Sequence, residues 1–278
     1  MAGETGDKLV VGCGYLGRRV AGLWQARGDR VFALTRGRAE ELRHAGLEPI
    51  VADVTRPETL HALPRVRTVL YAVGMDRSSG RSVRDVYVGG LANVLDALPP
   101  PERFLYVSST GVYGQDDGSE VDESSPTDPA EESGKVVLEA EQLLRRRLPD
   151  AIVLRFAGMY GPGRLIGDRA LREGRAIPGN PERWLNLIQI DDGARAVLAA
   201  EEKGRTGEVY NVSDGNPVRR GDFYRFLAGL LNVPEPEFTG PAGTDLGRRV
   251  SNRKLTADTG FFPTYPGYRD GLRAAFVG

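Results

Sequence analysis

Short apolar runs alternate along the chain with longer stretches in which apolar residues recur every three or four positions. The runs KLVVG, RVFALT, TVLYAVG, RFLYVSS, AIVLRFAG and EVYNVSD are compact and rich in β-branched and aromatic residues. Each reads as a buried strand. Between them, YLGRRVAGLWQAR, VRDVYVGGLANVLDAL and GKVVLEAEQLLRRR carry the helical period. Strand, helix, strand in repetition predicts an α/β fold built on a doubly wound parallel sheet, with helices on both faces.

After Gly161 the pattern weakens. Proline and glycine become frequent and arginines cluster. Residues 1–160 therefore read as the sheet domain and 161–278 as a small C-terminal substrate-binding lobe. The chain returns to the sheet once, over about 185–213, through NLIQIDDGARAVLAAEE and EVYNVSD. At 278 residues it can bury a substantial core.

Charge and cysteine content narrow the function. Thirty-seven basic residues against 38 acidic ones give a net charge of −1, which argues against a dedicated nucleic-acid binder. A single cysteine, Cys13, allows no internal disulfide and fits a reducing compartment. The start, MAGETGDK, has no apolar run of the secretory kind, and no stretch has the length of a membrane span. The expectation is a cytoplasmic protein with a small-molecule substrate and no membrane or nucleic-acid partner. His44 and His61 lie far from the motifs described next and, with one cysteine, build no Cys/His zinc site; no metal is expected.

The first strand runs into GCGYLG. A GxGxxG that follows a strand and opens a helix predicts a pyrophosphate cradle. Gly12 permits the tight turn, Gly14 admits the phosphates and Gly17 lets helix and strand approach. Tyr15 and Leu16 complete the loop, and the helix start supplies N–H groups. The second strand ends at Thr35-Arg36, where NAD-preferring sites usually place an acid. A guanidinium there suits a 2′-phosphate, so NADP is expected over NAD, with Arg18 and Arg38 near enough to help. Asp53 and Val54, after the third strand, suit the adenine; Asp53 suits a helix N-cap equally well. Ala72, Val73 and Gly74 end the next central strand and complete the cofactor set.

Taken in order, these pieces resemble the extended short-chain dehydrogenase/reductase superfamily, the NAD(P)-dependent epimerase/dehydratases, here in an atypical form. The resemblance rests on the glycine loop, Asp53, YAVG, VSSTGVYG, VDESSPTDP, LRFAGMYGPGR, IQIDDGARAV, GEVYNVSDG and FPTYPGYRDGL, and covers nearly the whole chain. It implies a Rossmann domain with a small C-terminal lobe, and substrates such as nucleotide sugars or other hydroxy and keto compounds. It also implies that Ser109, with Thr110 beside it, bonds the substrate oxygen.

Four departures stand out. The glycine spacing is GxGxxG where GxxGxxG is usual. The catalytic YxxxK should fall within PAEESGKVV, Pro129 to Val137, which has no tyrosine. Counting back from Lys135 puts Glu131 at the tyrosine position; aligning on EAEQLL puts Ser133 there and Val137 at the lysine position. Gly158 replaces an asparagine and Gln189 a histidine. Lys135 remains a candidate to hold the ribose. Tyr113 and Tyr160 are candidate proton donors, each with an alternative role in packing. Glu131 is a third, but eight acids and no base between Asp116 and Glu132 read as a solvated loop leading into a helix. The distal lobe carries Arg164, Arg169, Arg172, Arg175, Arg183, Arg248, Arg249, Arg253 and Lys254; most of them read as a solvated basic surface balancing the acidic loop, while several would suit an anionic substrate such as a nucleotide diphosphate. Two function classes follow: an NAD(P)-dependent oxidoreductase or epimerase/dehydratase, or a catalytically silent NADP-binding sensor or scaffold. The helices VYVGGLANVLDAL and GKVVLEAEQLL are the pair many relatives use for a four-helix-bundle homodimer, and their apolar surplus is compatible with one.

Overall fold

The computed structural model describes residues 6–241, 243 and 245–277. The opening residues 1–5, part of the segment read as lacking a secretory signal, lie outside the described residues. The first half runs β1 (Lys8–Val11), α1 (Tyr15–Ala26), β2 (Val31–Thr35), α2 (Ala39–His44), β3 (Glu48–Val51), β4 (Thr68–Tyr71), α3 (Gly90–Ala97), β5 (Arg103–Ser109) and β6 (Asp117–Val121). Then come α4 (Glu132–Arg147), β7 (Ile152–Phe156), β8 (Gly158–Tyr160), α5 (Asp168–Arg172), β9 (Trp184–Leu185), β10 (Leu187–Gln189) and α6 (Ile190–Lys203). The chain ends with β11 (Val209–Val212), β12 (Val218–Arg219), α7 (Arg220–Leu231), β13 (Gly247–Val250), α8 (Arg253–Thr259) and α9 (Tyr268–Val277).

Seven strands form one sheet in the order β3-β2-β1-β4-β5-β7-β11, and every pairing in it is parallel. This is a Rossmann-type sheet. The six apolar runs all become sheet strands. The seventh, β3, was not among them: it is an edge strand, carries Pro49 and leaves Val51 exposed, so it lacks a continuous apolar run. The order reverses between β1 and β4, and the loops leaving those strands part to open a cleft at their carboxyl ends.

One face of the sheet is covered by α1 and α6, with Val10, Trp24, Leu154 and Val197 fully enclosed. The other is covered by α3 and α4, around Leu9, Val69, Leu91 and Leu144. Each such side chain contributes about 1.5–3 kcal/mol by burial, so the strand ends rest on a firm base. Lys8 donates to Glu201 at 2.6 Å and Trp24 Nε1 to the same carboxylate at 2.6 Å, pinning α6 to α1 and the sheet. The C-terminal part comes back to this core a second time, a return the sequence did not disclose: α8 and the residues after it insert Leu255 and Phe261 into the first layer. A separate apolar cluster, with Tyr160, Phe223, Leu227, Tyr268 and Leu272, forms the second lobe.

Helix α4 is tied to the turn before α3 by Arg84–Glu139 at 2.6 Å, and to α3 itself by Arg147–Asp96. The exposed large apolar side chains among the described residues are Val51, Phe262 and Phe276, none of them on α3 or α4. On and just before these helices Tyr87, Val88, Leu95 and Leu143 are partly buried against the core.

Candidate cofactor cleft and active site

The turn after β1 has the shape its glycines suggest. Gly12 sits at φ +95°, and a Cβ there would lie 2.5 Å from the Ala72 carbonyl of the neighbouring strand end. A Cβ on Gly17 would lie 2.5 Å from the Gly12 carbonyl, so α1 can start this close to β1 only with glycine. Gly14 differs from both: its missing Cβ would point into open space. It is the N-cap of α1, with no side-chain cap and no acid in the first turn. The first N–H groups of α1 are thus left for an anion.

These groups border a cleft of about 640 Å³ lined by Gly12, Gly14, Arg36, Asp53, Val54, Ala72, Val73 and Gly74, together with Arg38, Asp76 and Arg81. The residues present fit a dinucleotide: an open, uncapped helix start for the pyrophosphate, and a polar, charged end beyond β2. The Leu16 side chain is buried in the core under α1, so what Leu16 can offer a ligand is its backbone N–H in the first turn. Tyr15 is half-buried, and its hydroxyl donates to the Pro162 carbonyl at 3.2 Å, linking the glycine loop to the YGPG turn.

At the ribose end, Arg36 reaches across the cleft mouth to Asp76 at 2.7 Å. Hydrogen bonds from Ser78, then the Arg36 guanidinium, hold the Asp76 carboxyl down at about 2. Arg38 donates to the Cys13 carbonyl at 3.0 Å, while Arg18 is held outside by Glu41 at 2.7 Å. Asp53 lines the cleft but is not a helix N-cap: the short turn of helix over Pro57–Thr59 is capped at Arg56, and the Asp53 carboxylate folds back on Thr55. One oxygen accepts from the Thr55 N–H at 2.9 Å and hydroxyl at 2.7 Å, while the other lies 3.8 Å from Arg81. Burial pushes its carboxyl up, but the Thr55 bonds and the nearby arginines hold it below its ordinary value. Val54 is buried beside α3, and its carbonyl accepts from Asn93 at 2.9 Å. Sequence reasoning missed Asp76 and Arg81. The one signal for them was their position just beyond β4, the strand at the switch point.

The strand end at β5 is more constrained. Ser109 accepts from the Gly111 N–H at 3.0 Å, which leaves its own hydroxyl proton free to donate. Thr110 begins the short 3₁₀ turn, and both residues are half-buried. Tyr113 is a correction to the proton-donor reading. It is buried, donates to Asn211 Oδ1 at 2.9 Å and accepts from Arg155 Nη1 at 3.0 Å. Arg155 in turn makes a two-pronged pair with Glu141, at 3.0 and 2.7 Å, and Glu141 accepts from Ser108. Burial is the main cause that raises the Tyr113 phenol above its ordinary value. This is a supporting network beneath the site.

Tyr160 is a second correction. It is fully buried against the second lobe's aromatic cluster, close under Gly271 of α9. Burial, then the charges of Asp214 and Asp192, pushes its phenol far above the usual range. Lys135 is the third. Its side chain is 57% exposed, and among the described residues its ionic neighbour is Glu132, at 4.0 Å. The face that α4 turns to the Ser109 turn carries Gly134, where a Cβ would lie 2.6 Å from the Gly111 carbonyl, and Val137, packed beside Val112 and Tyr113. Glu131 is the exposed N-cap of α4, as a solvated helix-start acid would be. Gln189 caps α6 through its side-chain oxygen, accepting from the Asp191 and Asp192 N–H groups.

A parallel doubly wound sheet with an uncapped glycine turn at its switch point defines a dinucleotide-binding protein of the Rossmann class. Comparison with known proteins gives the family: residues 8–213 match the model of the NAD dependent epimerase/dehydratase family. The chain belongs to that family. It is 28% identical to the protein YeeZ of Escherichia coli K12, over 92% of this chain and 95% of that one. It is 28% identical to a 3-diazoavenalumate denitrifying reductase of Streptomyces, over 95% and 98% of the two chains. Among solved structures it is similar to a putative NAD-dependent epimerase/dehydratase from Methylobacillus flagellatus, at 33% identity, 99% and 98% coverage and a TM-score of 0.79.

Proposed function

We propose that the protein is an NADP(H)-dependent oxidoreductase that acts on the carbonyl or carbinol of a hydroxy or keto small molecule. The observation that carries this reading is the pairing of the open Gly14 helix start with Arg36 and Arg38 at the ribose end of one cleft. The full-length likeness to a reductase supports it. The nicotinamide, when bound, supplies or accepts hydride. The chain's part is to hold the dinucleotide along the C-terminal edge of the sheet and to aim the Ser109 hydroxyl at the substrate oxygen. With its Oγ accepting from the Gly111 N–H, Ser109 keeps its hydroxyl proton to donate to a substrate oxygen, and such positioned donors act on developing charge. The test is a carbonyl panel followed at the NADPH absorbance. Ser109→Ala should lower turnover of an accepted substrate by about 10²-fold; full activity in that variant would remove Ser109 from the mechanism.

A second reading is an NADP-binding sensor or scaffold without turnover. It is favoured by one observation: Tyr113 and Tyr160 are buried in other roles and Lys135 faces solvent. Such a protein should discriminate NADP⁺ from NADPH and change a partner's affinity accordingly. Equal affinity for the two redox forms counts against it.

A further inference from the structure

The segment that leaves β4 borders the mouth of the dinucleotide cleft and is tied to it by two ion pairs of opposite sense. Arg36, just past β2, reaches Asp76 on the segment at 2.7 Å. Arg81, on the segment, faces Asp53 past β3 at 3.8 Å. All four residues line the cleft, and Asp53 also lies within electrostatic reach of Arg36. Cation and anion thus alternate around one opening.

The segment is anchored at both ends and free to turn between them. At its start the Met75 N–H donates to the Tyr87 hydroxyl at 3.2 Å. At its end Arg84 donates to Glu139 of α4 at 3.1 and 2.6 Å. Asp76 organises its own short turn, accepting from the Ser78 N–H at 3.0 Å and from the Ser78 hydroxyl at 2.6 Å. Gly80 separates this turn from Arg81. It sits at φ +68°, and a Cβ there would meet nothing within 4 Å, so the backbone has room to pivot. Directly after the segment, Asp85–Gly89 form a π-helical turn, a form that recurs at functional sites.

Both ion pairs are partly exposed, and pairs of that kind are weak. A phosphate monoester carries close to two negative charges at neutral pH, and its oxygens fit the guanidinium fork. A ligand shifts a conformational equilibrium only through contacts that differ between the two states. A 2′-phosphate makes such a contact, because it competes with Asp76 for Arg36.

We propose that residues 76–81 form a strap that exchanges partners for the 2′-phosphate: Arg36 gives up Asp76, the Asp76 turn pivots off the cleft mouth about Gly80, and Arg81 leaves Asp53 to close on the phosphate from the other side. With a nucleotide that lacks this phosphate both ion pairs stay in place. The protein then distinguishes NADP(H) from NAD(H) in shape as well as in affinity. The inference rests on the NADP(H) reading of the cleft.

Hydrogen exchange on peptides spanning residues 74–84 tests the strap without substrate or turnover. The probes are adenosine 2′,5′-bisphosphate against 5′-AMP, then NADP⁺ against NAD⁺, each at saturation. The 2′-phosphorylated member of each pair should speed exchange in the Asp76 turn by about threefold or more, because the turn has lost its tether; the other member should not. Asp76→Asn should exchange fast without nucleotide and lose the response. Arg81→Gln should weaken NADPH binding by roughly tenfold and NADH binding by less than about twofold. A residue that merely holds Asp53 in place would shift both alike. Slower exchange, the same change with both members of a pair, or no change with bound NADP⁺ overturns the strap, as do equal losses in Arg81→Gln. Titration of the same samples with NADPH and NADH keeps the claims apart. A preference for NADPH with an unresponsive segment removes the strap alone, and no binding of any 2′-phosphorylated probe removes the NADP(H) reading with it.

Discussion

The two ends of the site are built on opposite plans. At the dinucleotide end the chain withholds atoms: Gly14 leaves open space, α1 has no side-chain cap, and the first turn has no acid. At the β5 end the chain fills space: Tyr113, Arg155, Glu141, Ser108 and Asn211 form one buried hydrogen-bonded network under the Ser109 turn. The first plan suits a ligand that supplies the missing charge. The second holds one strand end in place, with the nearby Tyr113 phenol bonded into the network. The chain thus combines an open helix start at one end of the sheet edge with a filled, hydrogen-bonded strand end at the other.

The largest expected effect breaks the filled end. Glu141→Leu leaves Arg155 buried without its partner, and urea denaturation should show a loss of about 3–5 kcal/mol. Adding Arg155→Met should recover much of it. A loss under about 1 kcal/mol would mean that the network does not hold the strand end.

A second buried carboxyl lies past β11. Burial raises Asp214 to about 7 against the pull of the Asn216 N–H bond, and Asp192 adds repulsion. The folded protein therefore keeps this proton where the unfolded chain, with an ordinary value of 3.8, has lost it. Stability attributable to Asp214 is full below about pH 4, falls as pH rises to about 7, and is flat above that. Asp214→Asn should match the wild type at pH 4 and exceed it at pH 8 by about 2 kcal/mol, read from denaturation midpoints at the two pH values. An equal difference at both would dismiss the titration.

At the dinucleotide end the effects are smaller and selective. Arg36→Gln should weaken NADPH binding by roughly tenfold and NADH binding by less than about twofold. Equal losses would sink the 2′-phosphate assignment. Asp76 now holds Arg36 and would repel a 2′-phosphate, so Asp76→Asn should tighten NADPH by only about two- to fivefold, as expected for an exposed pair, and leave NADH unchanged. Calorimetric titration of each variant with both nucleotides checks the pair.

The two ends also differed in how far the sequence revealed them. Gly12, Gly14 and Gly17 were readable because each answers a local steric demand within a single strand–turn–helix unit. The sheet was readable because buried parallel strands need continuous apolar runs, and β3 escaped because an edge strand does not. Tyr113 was not readable as support: its partners, Asn211 and Arg155, lie 98 and 42 positions away. One signal was available. An arginine inside the apolar run AIVLRFAG demands a buried acid, and Glu141 falls among the buried residues of α4. Lys135 was misplaced because motif spacing left two registers open. The packing of Gly134 against Gly111 and of Val137 beside Val112 fixes which face of α4 meets the strand end. Asp76 was hidden because a loop residue's reach depends on the fold that carries it.

The most direct test of the account is an equilibrium titration of the purified protein with NADPH and with NADH. It predicts one NADPH per chain, bound at least about tenfold more tightly than NADH. No saturable binding of either nucleotide, or a preference for NADH with Arg36 intact, would contradict it.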